Sequence, residues 1–114
     1  MEKDCIFCKI VKGEAPATIW YEDENIIAFD SIKPIAETHI LVVPKKHIES
    51  FMELDNNDVL VFLAKAAQQI IKSKKLEDAY RLVFNGGKFQ TVSHLHWHLL
   101  GGEFVGGKQA LDQT

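Results

Sequence analysis

The chain has 114 residues, 46% of them apolar, with a net charge of −3 and a pI of about 5.9. That size and composition fit one small domain with a packed core; the expected organisation is a single domain over 1–114, its core at about 4–102 and a polar tail at 103–114. The weak acidity argues against a broad basic surface for nucleic acid or an anionic membrane, no run reaches the roughly 18 apolar residues of a membrane span, and Met1-Glu2-Lys3-Asp4 has no apolar signal region behind it, so the expected location is the cytoplasm.

Taken in order, residues 4–12 place Ile6, Phe7, Ile10 and Val11 at near-helical spacing, which predicts a short helix or turn, broken by Gly13, Ala15 and Pro16. Cys5 and Cys8 fall in this segment as Cys-x-x-Cys. In a reducing compartment that spacing points to a redox pair or half of a metal site rather than a disulfide framework; two small buried residues in a short helix would look the same. Residues 18–22 read as a strand, Asp23-Glu24-Asn25 as a hairpin turn and 26–29 as the returning strand. Residues 30–37, with Pro34, read as a loop. Residues 39–43 form a buried apolar strand ended by Pro44, and Lys45-Lys46-His47-Ile48 a loop or short turn.

The clearest helix is expected to begin near Asp55, an N-cap residue, with Asp58 supporting its first turn. Val59, Leu63, Ala66 and Ile70 mark its buried face, widened by Leu60, Ala67 and Ile71. Lys72, Lys74 and Lys75 suit the negative end of the helix dipole. Residues 80–85 read as a strand, Gly86-Gly87-Lys88 as a turn and 92–100 as a last strand; the segment from Gly101 has no strong pattern. The sum is an antiparallel sheet with a helix packed on it, an α+β domain.

The most informative stretch is His94-Leu95-His96-Trp97-His98-Leu99-Leu100. Period-two alternation puts three imidazoles on one face of a strand and three bulky apolar residues on the other. A polar outer face, a metal site built on His-x-His and nucleophilic catalysis are the three readings. A neutral imidazole is a good nucleophile near neutrality, and an imidazolium beside it can protonate a leaving group. Side chains two apart on a strand lie roughly 7 Å apart, so two of them can address one reacting centre.

This segment resembles the His-φ-His-φ-His-φ-φ motif (φ apolar) of the histidine triad (HIT) family. Cys5-Ile6-Phe7-Cys8-Lys9-Ile10, the stretch from Thr38 to Ile48 and Leu100-Gly101-Gly102 resemble the same family, in its order and spacing, and point to its short nucleotide-binding, Hint-like branch. The resemblance implies a five-stranded antiparallel sheet with one long and one short helix, and a homodimer whose sheets join across the two-fold. It implies a hydrolase of nucleoside 5′-phosphoramidates or related conjugates, in which His96 attacks the α-phosphorus, His98 assists the leaving group and His39 orients His98. No catalytic metal is expected. Family members with the N-terminal cysteine pair bind zinc through residues that match Cys5, Cys8, His47 and His94; two thiolates and two imidazoles leave no open position, the structural type of site.

Carried over residue by residue, Phe7, Ile10, Phe29 and Ile32 match walls of the base pocket, and Asn85 and Thr91 match phosphate-side groups. The family's ribose-binding Asp falls on Ser31, with Asp30 one place earlier, and a one-residue offset turns a side chain to the other face. The family's Gly-Gly-Gln-Ser appears as Lys88-Phe89-Gln90-Thr91 in a loop two residues shorter: Phe89 replaces a glycine that lets backbone approach a phosphate, and Lys88 brings a charge. The alternatives are a dinucleoside polyphosphate hydrolase, whose family members run longer after the triad, and a nucleotide-binding or interaction module with little turnover. Transferase members carry Gln in place of the third His, so His98 goes against transfer.

Overall fold

Strands β1 (Ile19–Glu22), β2 (Ile26–Asp30), β3 (Ala36–Pro44), β4 (Tyr80–Phe84) and β5 (Trp97–Phe104) and helices α1 (Ile6–Val11) and α2 (Asp58–Ser73) make up the computed structural model, which describes residues 4–104. The strands form one antiparallel sheet in the order β1-β2-β3-β5-β4. Among the described residues no helix is long and apolar enough to cross a membrane.

Alternation along the central strands builds two unlike faces. On one, Ile26, Ala28, Ile40, Val42 and Leu99 pack with Leu95 against Leu63, Ala66, Ile70 and Ile71 of α2. This is the helix face expected from sequence, and each fully buried aliphatic side chain there is worth about 1.5–3 kcal/mol. On the other face, Ile27, Phe29, Leu41 and Val43 pack with Phe7 and Ile10 of α1. The register Leu41↔His98 and His39↔Leu100 puts both histidines on this second face. The triad region therefore has apolar core behind it and α1 in front.

Several boundaries differ from the sequence reading. Helix α2 starts at Asp58 rather than Asp55, because Asn56 Oδ1 accepts the Asp58 N–H at 2.9 Å and holds residues 55–57 in a turn. Strand β3 begins at Ala36, inside the expected loop. The last strand is shifted: β5 begins at Trp97, not 92, and runs on to Phe104. Before it the backbone bends, with the His94 N–H on the Val92 carbonyl (2.8 Å) and the Leu95 N–H on the Ile48 carbonyl (2.7 Å). The glycines that suggested a patternless tail lie within the strand. Gly102, at φ +76°, sits opposite a register shift between Ala36 and Thr38, where the Glu37 carboxylate accepts the Glu103 N–H at 2.9 Å. Glu103 and Phe104 thus belong to the sheet, while the remainder of the expected tail, 105–114, lies outside the described residues.

Candidate active site and metal cluster

All five histidines lie in two adjoining groups. In the first, one ligand atom from each of Cys5, Cys8, His47 and His94 lies within 4.8 Å of the others. Cys5 is the N-cap of α1, and its sulfur accepts the Cys8 N–H at 3.4 Å, so the first helical turn sets both thiols on one side. His94 Nδ1 is 3.3 Å from Cys5 Sγ and 3.6 Å from Cys8 Sγ, and His47 Nδ1 is 3.2 Å from Cys8 Sγ. A tetrahedron with metal–sulfur bonds of about 2.3 Å and metal–nitrogen bonds of about 2.05 Å has S···N edges of about 3.5 Å. The three S···N separations above match those edges. Its donor set is closed and soft, and it fits a structural Zn2+.

A backbone carbonyl fixes the tautomer of His94. Its Nε2 lies 2.8 Å from the Pro44 carbonyl, which can only accept, so Nε2 carries the proton and the lone pair of Nδ1 faces the sulfurs. Burial pushes the pKa of His94 down to about 4, with repulsion from His47 and His96 adding to it and the Pro44 carbonyl opposing it. The ring is held neutral, the form that binds a metal.

The second group is a chain of three rings. The Ile35 N–H donates to His39 Nδ1 at 3.1 Å, so the proton of a neutral His39 sits on Nε2. Nε2 is 2.9 Å from His98 Nδ1 and donates to it, which leaves the His98 proton on Nε2. That atom is buried and has no hydrogen-bond partner among the described residues. His96 has the opposite arrangement. Its Nδ1 donates to the His94 carbonyl at 2.8 Å, so the lone pair is on Nε2. The His96 and His98 rings are 4.9 Å apart. Burial lowers all three pKa values, that of His98 to about 4 with help from the charges of His96 and His39; His96 lies beside His39 and lowers it further. The site therefore sets a ring with a free lone pair beside a ring with a free N–H, both neutral.

The expected nucleotide contacts divide. Phe7 touches both histidine groups, its ring 5.2 Å from His96 and 5.8 Å from His94, and meets Phe29 edge-on at 5.4 Å. Ile10 is buried in the same cluster, whereas Ile32 is 91% exposed. Asn85 and Thr91 are exposed, at either end of the loop between β4 and the triad. Ser31 hands its N–H to the His39 carbonyl (2.9 Å), and its hydroxyl accepts the Lys33 N–H at 3.2 Å. Asp30 is a correction. It pairs with Ile40 and so faces α2, away from the histidines, with its carboxylate accepting the Trp20 indole N–H at 2.7 Å. The offset from Ser31 does turn it to the wrong side of the sheet. A cleft of about 350 Å3 between residues 46–49 and the start of α2 touches His47 but none of His39, His96 and His98.

Motif reading missed the backbone groups that assign the tautomers: the Ile35 N–H and the carbonyls of Pro44 and His94. It also missed Gln90, whose side-chain amide donates to the Glu49 carbonyl at 2.6 Å and the Val92 carbonyl at 2.8 Å, tying the loop before the triad to the segment that carries His47. A lone polar residue in a loop gave no signal of this.

Comparison with known proteins agrees with the geometry. The HIT domain model matches residues 12–105. A 14 kDa zinc-binding protein of Zea mays is 42% identical over 112 residues, covering 85% of this chain and 80% of that protein. Among solved structures, a HIT family hydrolase from Clostridium thermocellum superposes with a TM-score of 0.85 at 44% identity, over 90% of this chain and 93% of that one. A histidine triad nucleotide-binding protein from Candida albicans gives a TM-score of 0.79 at 34% identity, over 84% of this chain and 73% of that one. Likeness of this extent, in sequence and in fold together, places the chain in the HIT domain family.

Proposed function

We propose that the protein is a hydrolase of nucleoside 5′-phosphoramidates and related nucleotide conjugates, acting through a nucleotidyl-histidine. The observation that carries this reading is the pair of complementary tautomers at His96 and His98. His96 Nε2 attacks the α-phosphorus; the P–N bond of the conjugate breaks and the departing amine takes a proton from His98 Nε2. Neutral His98 is a poor acid, but the anionic phosphate in front of it favours the imidazolium, so substrate binding loads the proton that the leaving group needs. A water then attacks the phosphorus, gives a proton back to His98 and releases the nucleoside monophosphate and free His96. Phe7, Phe29 and Ser31 lie on the base and ribose side, Asn85 and Thr91 on the phosphate side. In the resting pair the His39 Nε2–H donates to His98 Nδ1 and so aims the His98 Nε2–H at the leaving group; in the imidazolium Nδ1 carries the second proton itself, and this hydrogen bond gives way until the product leaves.

In this reading Cys5, Cys8, His47 and His94 hold a structural zinc, as the zinc-binding likeness of the maize protein supports. When bound it ties α1 and the 45–48 segment to the triad and takes no part in the chemistry. The protein works as a cytoplasmic homodimer. β4 supports this as an edge strand that presents Tyr80, Leu82 and Phe84, 39–49% exposed.

The test is turnover of a fluorogenic adenosine phosphoramidate by the wild type and by His96→Asn. Wild-type hydrolysis, with loss of turnover but retained nucleotide binding in the variant, supports the mechanism. Binding without turnover in both favours the second reading, a nucleotide-binding module. The Asp30 carboxylate turned to Trp20 and the Ser31 hydroxyl engaged with Lys33 are the observations on that side.

A further inference from the structure

The loop between β4 and the triad carries an exposed aromatic ring that the fold does not need. Phe89 is 71% exposed, at the end of a 3₁₀ turn spanning Gly87–Phe89. The turn is held: the Phe89 N–H bonds to the Gly86 carbonyl (3.2 Å), the Gln90 N–H to the Gly87 carbonyl (3.1 Å), and the Gln90 side chain clamps the next residues to Glu49 and Val92. The Lys88 ammonium stands 5.7 Å from the Phe89 ring centroid, so one loop presents an apolar plane and a positive charge side by side.

The position of this pair follows from the strand order. Phe84 is opposite Trp97, so the loop starts at Asn85, level with His96, and returns to Val92, which packs on the same apolar cluster as Phe7. The loop therefore borders the histidine face. The groups on the base and ribose side, on α1 and β2, lie beyond β3; Lys88 and Phe89 belong to the β4 side of β5. A phosphorus at His96 would have its nucleoside toward the first side and its leaving group toward the second.

We infer that Lys88 and Phe89 form the leaving-group subsite of the same centre, and that it takes conjugates whose amine carries both a planar ring and a carboxylate. The inference rests on the proposed hydrolase reading and names its substrate class. The ring of the leaving group stacks on Phe89 and its carboxylate meets Lys88. A bare alkylamine engages neither.

Three adenosine 5′-phosphoramidates test it: one of phenylalanine (ring and carboxylate), one of phenethylamine (ring alone) and one of a short alkylamine. The readouts are kcat/KM for each and, by calorimetry on the His96→Asn protein, the binding of each. The wild type prefers the phenylalanine conjugate over the alkyl one by about thirty-fold. In Phe89→Leu the ratio of ring-bearing to alkyl conjugates falls about ten-fold. In Lys88→Ala the ratio of phenylalanine to phenethylamine conjugates falls about three-fold, and added salt produces the same loss in the wild type. Thermal unfolding checks that both variants fold. Hydrolysis of all three conjugates at similar kcat/KM, or ratios unmoved by both substitutions, overturns the subsite while the hydrolase reading stands. Absence of any turnover overturns the hydrolase reading; the subsite then stands or falls on the calorimetric ratios, and equal or undetectable binding of the three overturns it.

Discussion

The two histidine groups share the imidazole side chain and adjoin one another, and burial pushes His94 in the first and His39, His96 and His98 in the second toward the neutral state, yet the groups differ in what their nitrogens face. In the metal cluster the Nδ1 atoms of His47 and His94 are turned to sulfur. In the proposed catalytic group the Nδ1 atoms of His39, His96 and His98 are all occupied by a hydrogen bond, leaving Nε2 of His96 and His98 open. The imidazole itself does not separate the groups; the two thiols and the local backbone do. A carbonyl assigns one tautomer, an N–H the other, and the adjoining ring inherits the consequence. The groups meet at His94, whose ring belongs to the first and whose carbonyl holds His96 of the second.

Substitutions can break this division, starting from the largest expected effect. His96→Ala removes the proposed nucleophile, and steady-state kinetics are expected to show a loss of kcat of at least about 1,000-fold with zinc content unchanged. Cys8→Ser acts on the other group first. Zinc measured by atomic emission falls well below one per chain, and the melting temperature drops by about 15 °C as the link between α1 and the triad is lost. A second effect, lower kcat in the variant that stays folded, reports how far the His94 carbonyl depends on the metal; kcat equal to wild type would show the groups to be independent. His39→Ala frees His98 Nδ1 to compete for the proton and is expected to lower kcat by about 10- to 100-fold, with KM little changed.

Acid titration sharpens the contrast in another way. The pKa of His98 is about 4 in the folded chain against an ordinary 6.5. Over that interval the unfolded chain binds more protons, so stability is fully present above about pH 6.5 and declines as pH falls toward about 4. Urea unfolding of metal-free protein at several pH values checks it; a midpoint independent of pH across that range would contradict the burial of these rings. The smallest effect is expected from Asp30→Asn. Its partner is Trp20, itself under the Lys74 ammonium at 3.6 Å on the helix face, so stability changes by less than about 1 kcal/mol and nucleotide affinity stays within measurement error.

Much of this was legible in the amino-acid sequence, for reasons tied to particular residues. Leu95, Trp97 and Leu99 alternate with histidines, and that period survives although regular strand hydrogen bonding starts only at Trp97. Val59, Leu63, Ala66 and Ile70 outline the buried side of α2 because a helical period needs no partner to be seen. The cysteine pair and His47 were legible through family likeness, and the fold brings them to His94. What was hidden depended on long-range backbone contact. Gly101 and Gly102 read as the end of structure, since nothing local shows that Glu37 would cap a bulge there. Asp55 looked a better helix start than Asp58 because the competing Asn56 turn is a matter of geometry rather than composition.

The double duty of His94 also constrains redesign. A relative or engineered version that gives up Cys5 and Cys8 leaves the ring at 94 with one of its two grips, the Pro44 carbonyl on Nε2, while its own carbonyl still holds the proposed nucleophilic imidazole of His96. A second grip on position 94 replaces what the thiols gave, and a library that varies positions 5, 8, 47 and 94 together should recover active sequences more often than one that varies the cysteines alone.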